Sequence, residues 1–395
     1  MKISLIQPGR NNLKYLKWSY DSIRKNQGNH EVEICVADDA STDGTWDWCV
    51  EIMDKDPNFK ALKWDGPERV GHTILYDRLI NEIATNDICM IYHADMYLCP
   101  GALDAIENEL KEKTIVSLTR IEPPLHPDGP EKILKDFGVE PEEFNEEGLL
   151  KFLDSRHIDG KTTEGIFAPW AFWKSDFQEI GGHDPLYAPQ SKEDSDIFNR
   201  FQLNGVKFIQ TWHGCVYHMT CRGSRRNTVD KAKNIYEDSP EWLAQNQRST
   251  RNFIRKWGSM VMHDSLMKPI IPPKYDIGFQ VKGCNSQLLE LLEPWCSTIL
   301  IDDEMQVITS HYLDKEQQNT KIKLAEKIFT TPHNILENEI IIKIDANKFT
   351  QQDFQIIQQL PQIIKDSGEI GNFELENLKV NINENIEYQN GLISL

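Results

Sequence analysis

Acidic side chains stand where two apolar segments of the chain end. Asp95 follows the apolar run at residues 88–92, and the pair Asp38 and Asp39 follows a second run at residues 31–37. Open α/β sheets bind ligands outside the carboxyl ends of their strands, so both places are candidate binding sites. A carboxylate pair beside the free N–H groups of a helix start can bind both polar edges of a nucleoside. The alternative for Asp95 is a plain turn cap.

The segments that must position these acids have the periodicity of an α/β fold. Stretches with apolar residues at helical spacing alternate with short apolar runs that predict strands, at residues 2–7, 31–37, 60–64 and 88–92. Pro100-Gly101 begins a further helix, with Leu103 and Ile106 on its inner face. This alternation predicts a Rossmann-type, mostly parallel sheet flanked by helices, with the run at 88–92 as a buried central strand.

Composition narrows the class of protein. The chain has 395 residues, a net charge of -19 and a pI near 5.1, which argues against nucleic acid and anionic membranes as partners. We find no apolar run long enough for a transmembrane segment and no signal core. Eight cysteines without a Cys-x-x-Cys pair indicate reduced thiols. These features predict a soluble cytoplasmic protein.

The C-terminal third has a different, Gln/Asn/Ile-rich composition. We expect a first domain at residues 1–263, a linker at 264–273 and a small α/β domain of unknown role at 274–395. Apolar runs predict strands at 277–281, 298–301 and 340–344, and helical spacing predicts helices at 287–292, 321–328 and 354–364. The Gln-rich helix is expected to be a solvated or an oligomer-forming face, so a homo-oligomer through this region is one expectation.

Four blocks of the sequence, in this order, resemble glycosyltransferase family 2 on the GT-A nucleotide-sugar fold. They are Asp38-Asp-Ala-Ser-Thr-Asp-Gly-Thr45, Gly71, the stretch from Ala84-Thr-Asn-Asp to His93-Ala-Asp95, and Gly181-Gly-His-Asp with Glu193-Asp194. One acidic strand end is a weak signal, whereas four blocks in the family's order are a strong one. The resemblance covers about residues 1–260 and implies a nucleotide-diphosphate-sugar donor.

The resemblance implies a donor site built on the first strands. Residues matching the family's nucleotide-binding positions are Pro8, Arg10, Asp38 and Asp39, and we expect Gly71 and Arg78 at the same site. The alternatives are an Asx turn for Asp39 and a solvated side chain for Arg10.

The resemblance also implies a metal on the diphosphate. Asp95 matches the last acid of the family's Asp-x-Asp, which coordinates Mn²⁺ or Mg²⁺, but His93 stands where the first acid is expected. An imidazole can ligate Mn²⁺ or bind the donor, and strict use of Mg²⁺ becomes less expected. His218 resembles an additional histidine ligand of such enzymes, while Arg222 and Arg225 are expected to clamp the diphosphate from a closing loop. Their alternatives are a structural histidine and a solvated loop.

On the acceptor side, Asp194 matches the family's general base at a helix start, with Glu193 beside it. The alternative is that Asp194 only caps that helix. The insertion at residues 119–161 is expected to be an acceptor loop, a lid or a plain surface excursion. Trp170 is a candidate for stacking on the acceptor sugar, with core packing as its alternative.

Taken together, the sequence predicts an inverting, metal-dependent glycosyltransferase that moves a single sugar to an acceptor hydroxyl of a glycan or another molecule. Inversion needs one base and no covalent intermediate, and no Gln-x-x-Arg-Trp processivity motif is found. Two other classes remain open. A nucleotidyltransferase would need a better Gly-rich basic loop than Gln7-Pro-Gly-Arg10, and a non-catalytic sugar- or nucleotide-binding protein is favoured by His93 in place of an acid.

Overall fold

The computed structural model describes residues 1–66, 68–156, 160–220, 226–230, 235–302, 306–331 and 336–395. They form two compact units, of which the first comprises Met1–Ala244, His263–Pro269 and Leu395, and the second comprises Gln245–Met262 and Ile270–Ser394. The predicted domain boundaries at residues 263 and 273 stay predictions.

The first unit alternates strands and helices as its sequence predicts. Its strands are β1 (Lys2–Gly9), β2 (Glu31–Asp38), β3 (Phe59–Lys63), β4 (Ile88–Ile91), β5 (Met96–Leu98), β6 (Thr114–Glu122), β7 (Lys132–Leu134), β8 (Thr162–Thr163), β9 (Trp170–Trp173), β10 (Lys207–His218), β11 (Arg226–Asp230) and β12 (Ile235–Asp238). Its helices are α1 (Leu13–Asn26), α2 (Thr45–Met53), α3 (His72–Arg78), α4 (Ala102–Glu109), α5 (Glu146–Ser155), α6 (Lys174–Glu179) and α7 (Glu193–Leu203). The next helix, α8 (Pro240–Trp257), begins in this unit, and its residues from Gln245 onward belong to the second unit.

Ten of these strands form one sheet in the order β3-β2-β1-β4-β9-β6-β10-β5, with β7 beside β6 and β8 beside β10. Strands β1 to β4 are parallel to one another, and β6 and β10 are parallel to each other. Because β9 is antiparallel to both β4 and β6, the carboxyl ends of β1, β2, β4, β6 and β10 all lie at one edge. The predicted α/β fold is confirmed, with an antiparallel part at β9 and β5.

The predicted central strand is β4. Its Cys89, Met90 and Ile91 are buried because β1 and β9 flank it and helices cover the sheet. The helix after Gly101 is also confirmed as α4, whose Leu103 and Ile106 pack into the core. The sequence did not predict β5, which lies between Asp95 and this helix.

The second unit has its own sheet of six strands, in the order β15-β14-β13-β16-β18-β17. These strands are β13 (Ile277–Lys282), β14 (Thr298–Ile301), β15 (Ile328–Thr330), β16 (Ile340–Asp345), β17 (Gly371–Leu375) and β18 (Leu378–Ile382), and the helices are α9 (Ser286–Leu292), α10 (Gln306–Glu316) and α11 (Gln351–Ser367). The prediction of a small C-terminal α/β part is therefore confirmed. The helix predicted at residues 321–328 is wrong: that segment holds a short 3₁₀ turn at Leu324–Glu326 and then β15, where Ile328 pairs with Ile299.

Candidate active site

Three potential metal ligands meet at the carboxyl edge of the first sheet. His93 and Asp95 follow β4, and His218 ends β10, where it is paired with Met96 of β5. One ligand atom from each of His93, Asp95 and His218 lies within 4.8 Å of the other two, and all three residues are half-buried. His218 Nε2 is 3.4 Å from Asp95 Oδ2. Residues distant in sequence are thus brought together by the pairing of β5 with β10.

The charges of this cluster depend on its burial and on one another. Burial alone would raise the pKa of Asp95, but the ion pair with His218 outweighs burial and lowers that pKa. The pKa of His218 is raised to about 9, since Asp95 and Glu122 together overcome burial. Burial lowers the pKa of His93 to about 4, so His93 is a neutral imidazole at physiological pH.

The donor set fits a divalent transition metal. Two imidazoles and one carboxylate suit Mn²⁺ better than Mg²⁺, which prefers an all-oxygen shell. His218 Nδ1 lies 2.8 Å from Glu122 Oε1, a carboxylate contact on the far ring nitrogen that is common for metal-ligating histidines.

The predicted nucleotide-binding acids lie at the end of β2, and both are buried. Asp39 accepts hydrogen bonds from the backbone N–H groups of Val70 (2.8 Å) and Gly71 (3.0 Å). Asp38 Oδ1 accepts one from Ser41 (3.2 Å), while Asp38 Oδ2 is buried with no hydrogen-bond partner among the described residues. Asp39 therefore shapes the loop before α3, and Asp38 keeps a free acceptor.

Gly71 has a structural reason to be glycine. Its φ is +86°, and a Cβ there would lie 2.2 Å from the carbonyl oxygen of Pro189. The segment before α7 consequently packs closely against the start of α3.

The other residues predicted to bind the nucleotide-sugar donor lie in different environments. Pro8 is half-buried and Arg10 is exposed near the end of β1. Arg78 forms an i,i+4 ion pair with Glu82, with Nη2 and Oε2 2.8 Å apart, so a surface ion pair accounts for this side chain. Arg222 and Arg225 lie outside the described residues.

Trp170 does not reach the site. Its side chain is 0% exposed and packs against the rings of Phe172, Phe198 and Phe201. Packing of β9 between β4 and β6 buries the ring, so the expected stacking on an acceptor sugar is corrected to a core contact.

The predicted base lies in the first turn of α7. The helix begins at Glu193 and its N-cap position is Lys192, so Asp194 does not cap the helix. Burial, and next the charge of Glu193, raise the pKa of Asp194 to about 6. Glu193 itself pairs with His72, with Oε1 and Nε2 2.6 Å apart, and this partner lowers its pKa against the effect of burial. The two adjacent carboxylates therefore differ in role: His72 holds Glu193 in its ionised form, whereas Asp194 can take up and release a proton near pH 6.

One buried ion pair and two hydrogen bonds of the same arginine hold α7 and the turn before it. Arg200 and Asp196 are both 0% exposed, with Nε and Oδ2 2.8 Å apart. Arg200 also donates to the carbonyl oxygens of Ile180 and Gly182. The guanidinium group of Arg200 thus connects the turn at Gly181-Gly182 with the helix that carries Glu193 and Asp194.

Sequence reasoning missed three residues of this site, namely His72, Tyr76 and Glu122. Burial, followed by the charges of Asp194, Glu193 and Asp95, raises the pKa of Tyr76, so all three acids act on that ring. Glu122 lay within the insertion predicted at residues 119–161, and no other sequence signal marked it. His72 had the signal of directly following Gly71.

The seven cysteines that the structure describes are buried and form no disulfide among themselves. None of the helices in the described ranges is long and apolar enough to cross a membrane.

Residues 4–181 match the model of the family described as Glycosyl transferase family 2. Residues 4–181 are therefore similar to this family, as the resemblance of the sequence predicts. The match ends at Gly181, so the signature around Asp194 lies beyond it.

Solved structures show weak likeness to this chain. A mannosyltransferase from Pyrobaculum calidifontis in complex with GDP-Man and Mn²⁺ is 17% identical, with a TM-score of 0.40, over 56% of this chain and 58% of that one. GalNAc-T7 with UDP, GalNAc and Mn²⁺ is 14% identical (TM-score 0.42) over 55% and 44% of the two chains. S. aureus TarS is 16% identical (TM-score 0.42) over 64% and 40%. The aligned part is below two thirds of each of these proteins. No curated protein matches the sequence.

Proposed function

We propose that this protein is an inverting, metal-dependent glycosyltransferase that moves one sugar from a nucleotide-diphosphate-sugar to an acceptor hydroxyl. The observation that carries the proposal is the presence of a His-Asp-His cluster and, separate from it, an acid, Asp194, whose pKa is about 6. A base of that pKa is largely ionised at neutral pH and still takes up a proton readily.

His93, Asp95 and His218 would hold the metal, with Mn²⁺ as the expected ion. When bound, it neutralises the charge that develops on the leaving diphosphate. The structures of the mannosyltransferase and GalNAc-T7 that resemble this chain weakly contain Mn²⁺ with a nucleotide, which agrees with this assignment.

The remaining chemistry falls to residues of this chain. Asp194 takes the proton of the acceptor hydroxyl while the acceptor oxygen bonds to the anomeric carbon and the bond to the diphosphate breaks. Because attack and departure occur in line in one step, the configuration at that carbon inverts. Asp38, with its free buried oxygen, is the better candidate for contacting the nucleoside, since Asp39 is engaged by the loop at Val70 and Gly71.

A panel of nucleotide sugars tests this proposal, with thermal unfolding as the first measurement. A true donor with Mn²⁺ should raise the melting temperature, since a ligand at 100 times its Kd stabilises a protein by about 2.7 kcal/mol. Release of the nucleoside diphosphate, measured with Mn²⁺, with Mg²⁺ and with chelator, should then depend on the metal. Failure of every donor to stabilise the protein or to be turned over would contradict the proposal. The cytoplasmic location and the homo-oligomer stay predictions.

A further inference from the structure

We propose that Glu122 is a positioning residue for the metal ligand His218: it fixes the ring so that Nε2 faces the metal. This inference rests on the proposed function, because it concerns the metal site of that reaction. The sequence placed Glu122 only at the edge of an insertion.

Strand pairing brings the two residues together. In the parallel pair of β6 and β10, Ile121 is the partner of Tyr217, so Glu122 and His218 follow side by side at the same sheet edge. Glu122 Oε1 lies 2.8 Å from His218 Nδ1, and on the other side of the ring Nε2 lies 3.4 Å from Asp95 Oδ2. The carboxylate therefore contacts the ring nitrogen that faces away from the ligand cluster.

The Glu122 carboxylate is itself held in place. Its side chain is 2% exposed, and Oε2 accepts a hydrogen bond from Lys132 Nζ at 3.1 Å. Arg120 Nη1 lies 3.5 Å from Oε1. A carboxylate fixed by two cations has little freedom to rotate, so the ring that it contacts is fixed as well.

The consequence for the imidazole is chemical as well as geometric. When Nδ1–H donates to Glu122, the other nitrogen, Nε2, is the one that can give up its proton and offer a lone pair to a metal beside Asp95. The carboxylate also makes Nε2 a stronger donor to a metal. Loss of Glu122 should therefore weaken metal binding even if the fold is intact.

The test measures Mn²⁺ affinity of the full chain without any donor, by the loss of the free Mn²⁺ electron paramagnetic resonance signal. Glu122→Gln keeps a hydrogen-bond acceptor for Nδ1 and should bind Mn²⁺ within about threefold of wild type. Glu122→Leu should bind about 10- to 100-fold more weakly, the usual effect of losing such a partner. The double variant Glu122→Leu/Lys132→Leu removes the buried acid together with Lys132, and Arg120 keeps Glu131 as a partner, so this variant is expected to fold and should show the same loss.

Controls separate this role from general stability. Lys132→Leu alone removes one of the two cations at Glu122 but keeps the carboxylate on His218, so it should lose less Mn²⁺ affinity than Glu122→Leu. Glu33 is a matched buried acid in the same unit, paired with Lys60 and accepting from the N–H of Thr85 at 2.9 Å. Glu33→Leu/Lys60→Leu should change the melting temperature without changing Mn²⁺ affinity.

The outcomes are distinguishable. Wild-type Mn²⁺ affinity in both Glu122→Leu and the double variant would overturn this inference while leaving the proposed function intact. Equal weakening in the Glu33 control would also overturn it, because the effect would then follow stability. No Mn²⁺ binding by the wild-type chain would overturn both the inference and the metal dependence of the proposed function.

Discussion

The decrease of kcat/KM at acidic pH, the acid limb of its pH profile, is the most direct test of Asp194 as the general base. Its pKa of about 6 means that roughly 90% of the carboxylate is ionised at pH 7 and roughly 10% at pH 5. If the ionised form is the base, kcat/KM should fall about tenfold between those values. An acid at its ordinary pKa of 3.8 would lose less than about a tenth of its activity over the same range.

Two variants identify the group responsible. Asp194→Asn keeps the size of the side chain but cannot take the proton, so transfer should fall by about 10²- to 10⁴-fold while donor affinity stays near wild type. Glu193→Gln removes the charge that helps to raise the pKa of Asp194, so its acid limb should move to lower pH. His72 and His183 also face this acid and lower its pKa, and neither is changed in the two variants.

The same shift predicts an effect on stability of known sign. The folded-state pKa of Asp194 is raised, so its stabilising contribution is present below about pH 4 and is lost as pH rises through about 6. A shift of about two units corresponds to at most about 3 kcal/mol at neutral pH. Asp194→Asn should therefore melt at the same or a higher temperature than wild type at pH 7.5.

The assay is transfer to acceptor at saturating donor and Mn²⁺, with kcat/KM for acceptor measured from pH 5 to pH 8. Unfolding is followed in the same buffers. A flat wild-type profile between pH 5 and pH 7, or normal transfer by Asp194→Asn, would remove Asp194 from the mechanism. A lower melting temperature for Asp194→Asn at pH 7.5 would contradict the raised pKa.

Three further predictions follow from named contacts. Asp95→Asn should abolish Mn²⁺-dependent turnover with an unchanged circular dichroism spectrum; wild-type turnover at saturating Mn²⁺ would refute this. Asp39→Ala frees two backbone N–H groups, so calorimetry should show weaker nucleoside diphosphate binding and denaturation a loss of about 1–3 kcal/mol, whereas unchanged affinity would leave Asp39 a purely structural residue. Arg200→Leu removes the ion-pair partner of the buried Asp196 carboxylate, which should lower the free energy of unfolding by about 3–5 kcal/mol, and Arg200→Leu/Asp196→Leu should regain much of it.

Local periodicity was enough to predict β1, β2 and β4, which carry part of the site, and the helix α4. The buried runs at β2 and β4, and the helical spacing after Gly101, were visible because each element buries one continuous face. The segment at 321–328 shows the limit. Its apolar residues fit a helix, but pairing of β15 with β14 makes its end a strand, and a sheet partner elsewhere in the chain cannot be read from local spacing.

Side-chain partners across the sheet were harder to predict than elements. Nothing near His218 in sequence indicates Glu122, which is 96 residues away, and the pair forms only because β6 and β10 are neighbours. Trp170 was ambiguous for a related reason: an aromatic residue beside a site can face the ligand or the core. Because β9 lies antiparallel between β4 and β6, the Trp170 ring faces the core.

The strongest argument for a binding protein without catalysis was His93 in place of the first acid. The structure weakens that argument, because a second carboxylate, that of Glu122, contacts the cluster at His218. Asp95 and Glu122 contact opposite nitrogens of the His218 ring, at 3.4 Å and 2.8 Å. Lys132 and Arg120 offset much of the charge of Glu122, so this carboxylate acts on the site through the imidazole that it holds. A residue from a neighbouring strand thus supports a ligand set that has a histidine, and no acid, at position 93.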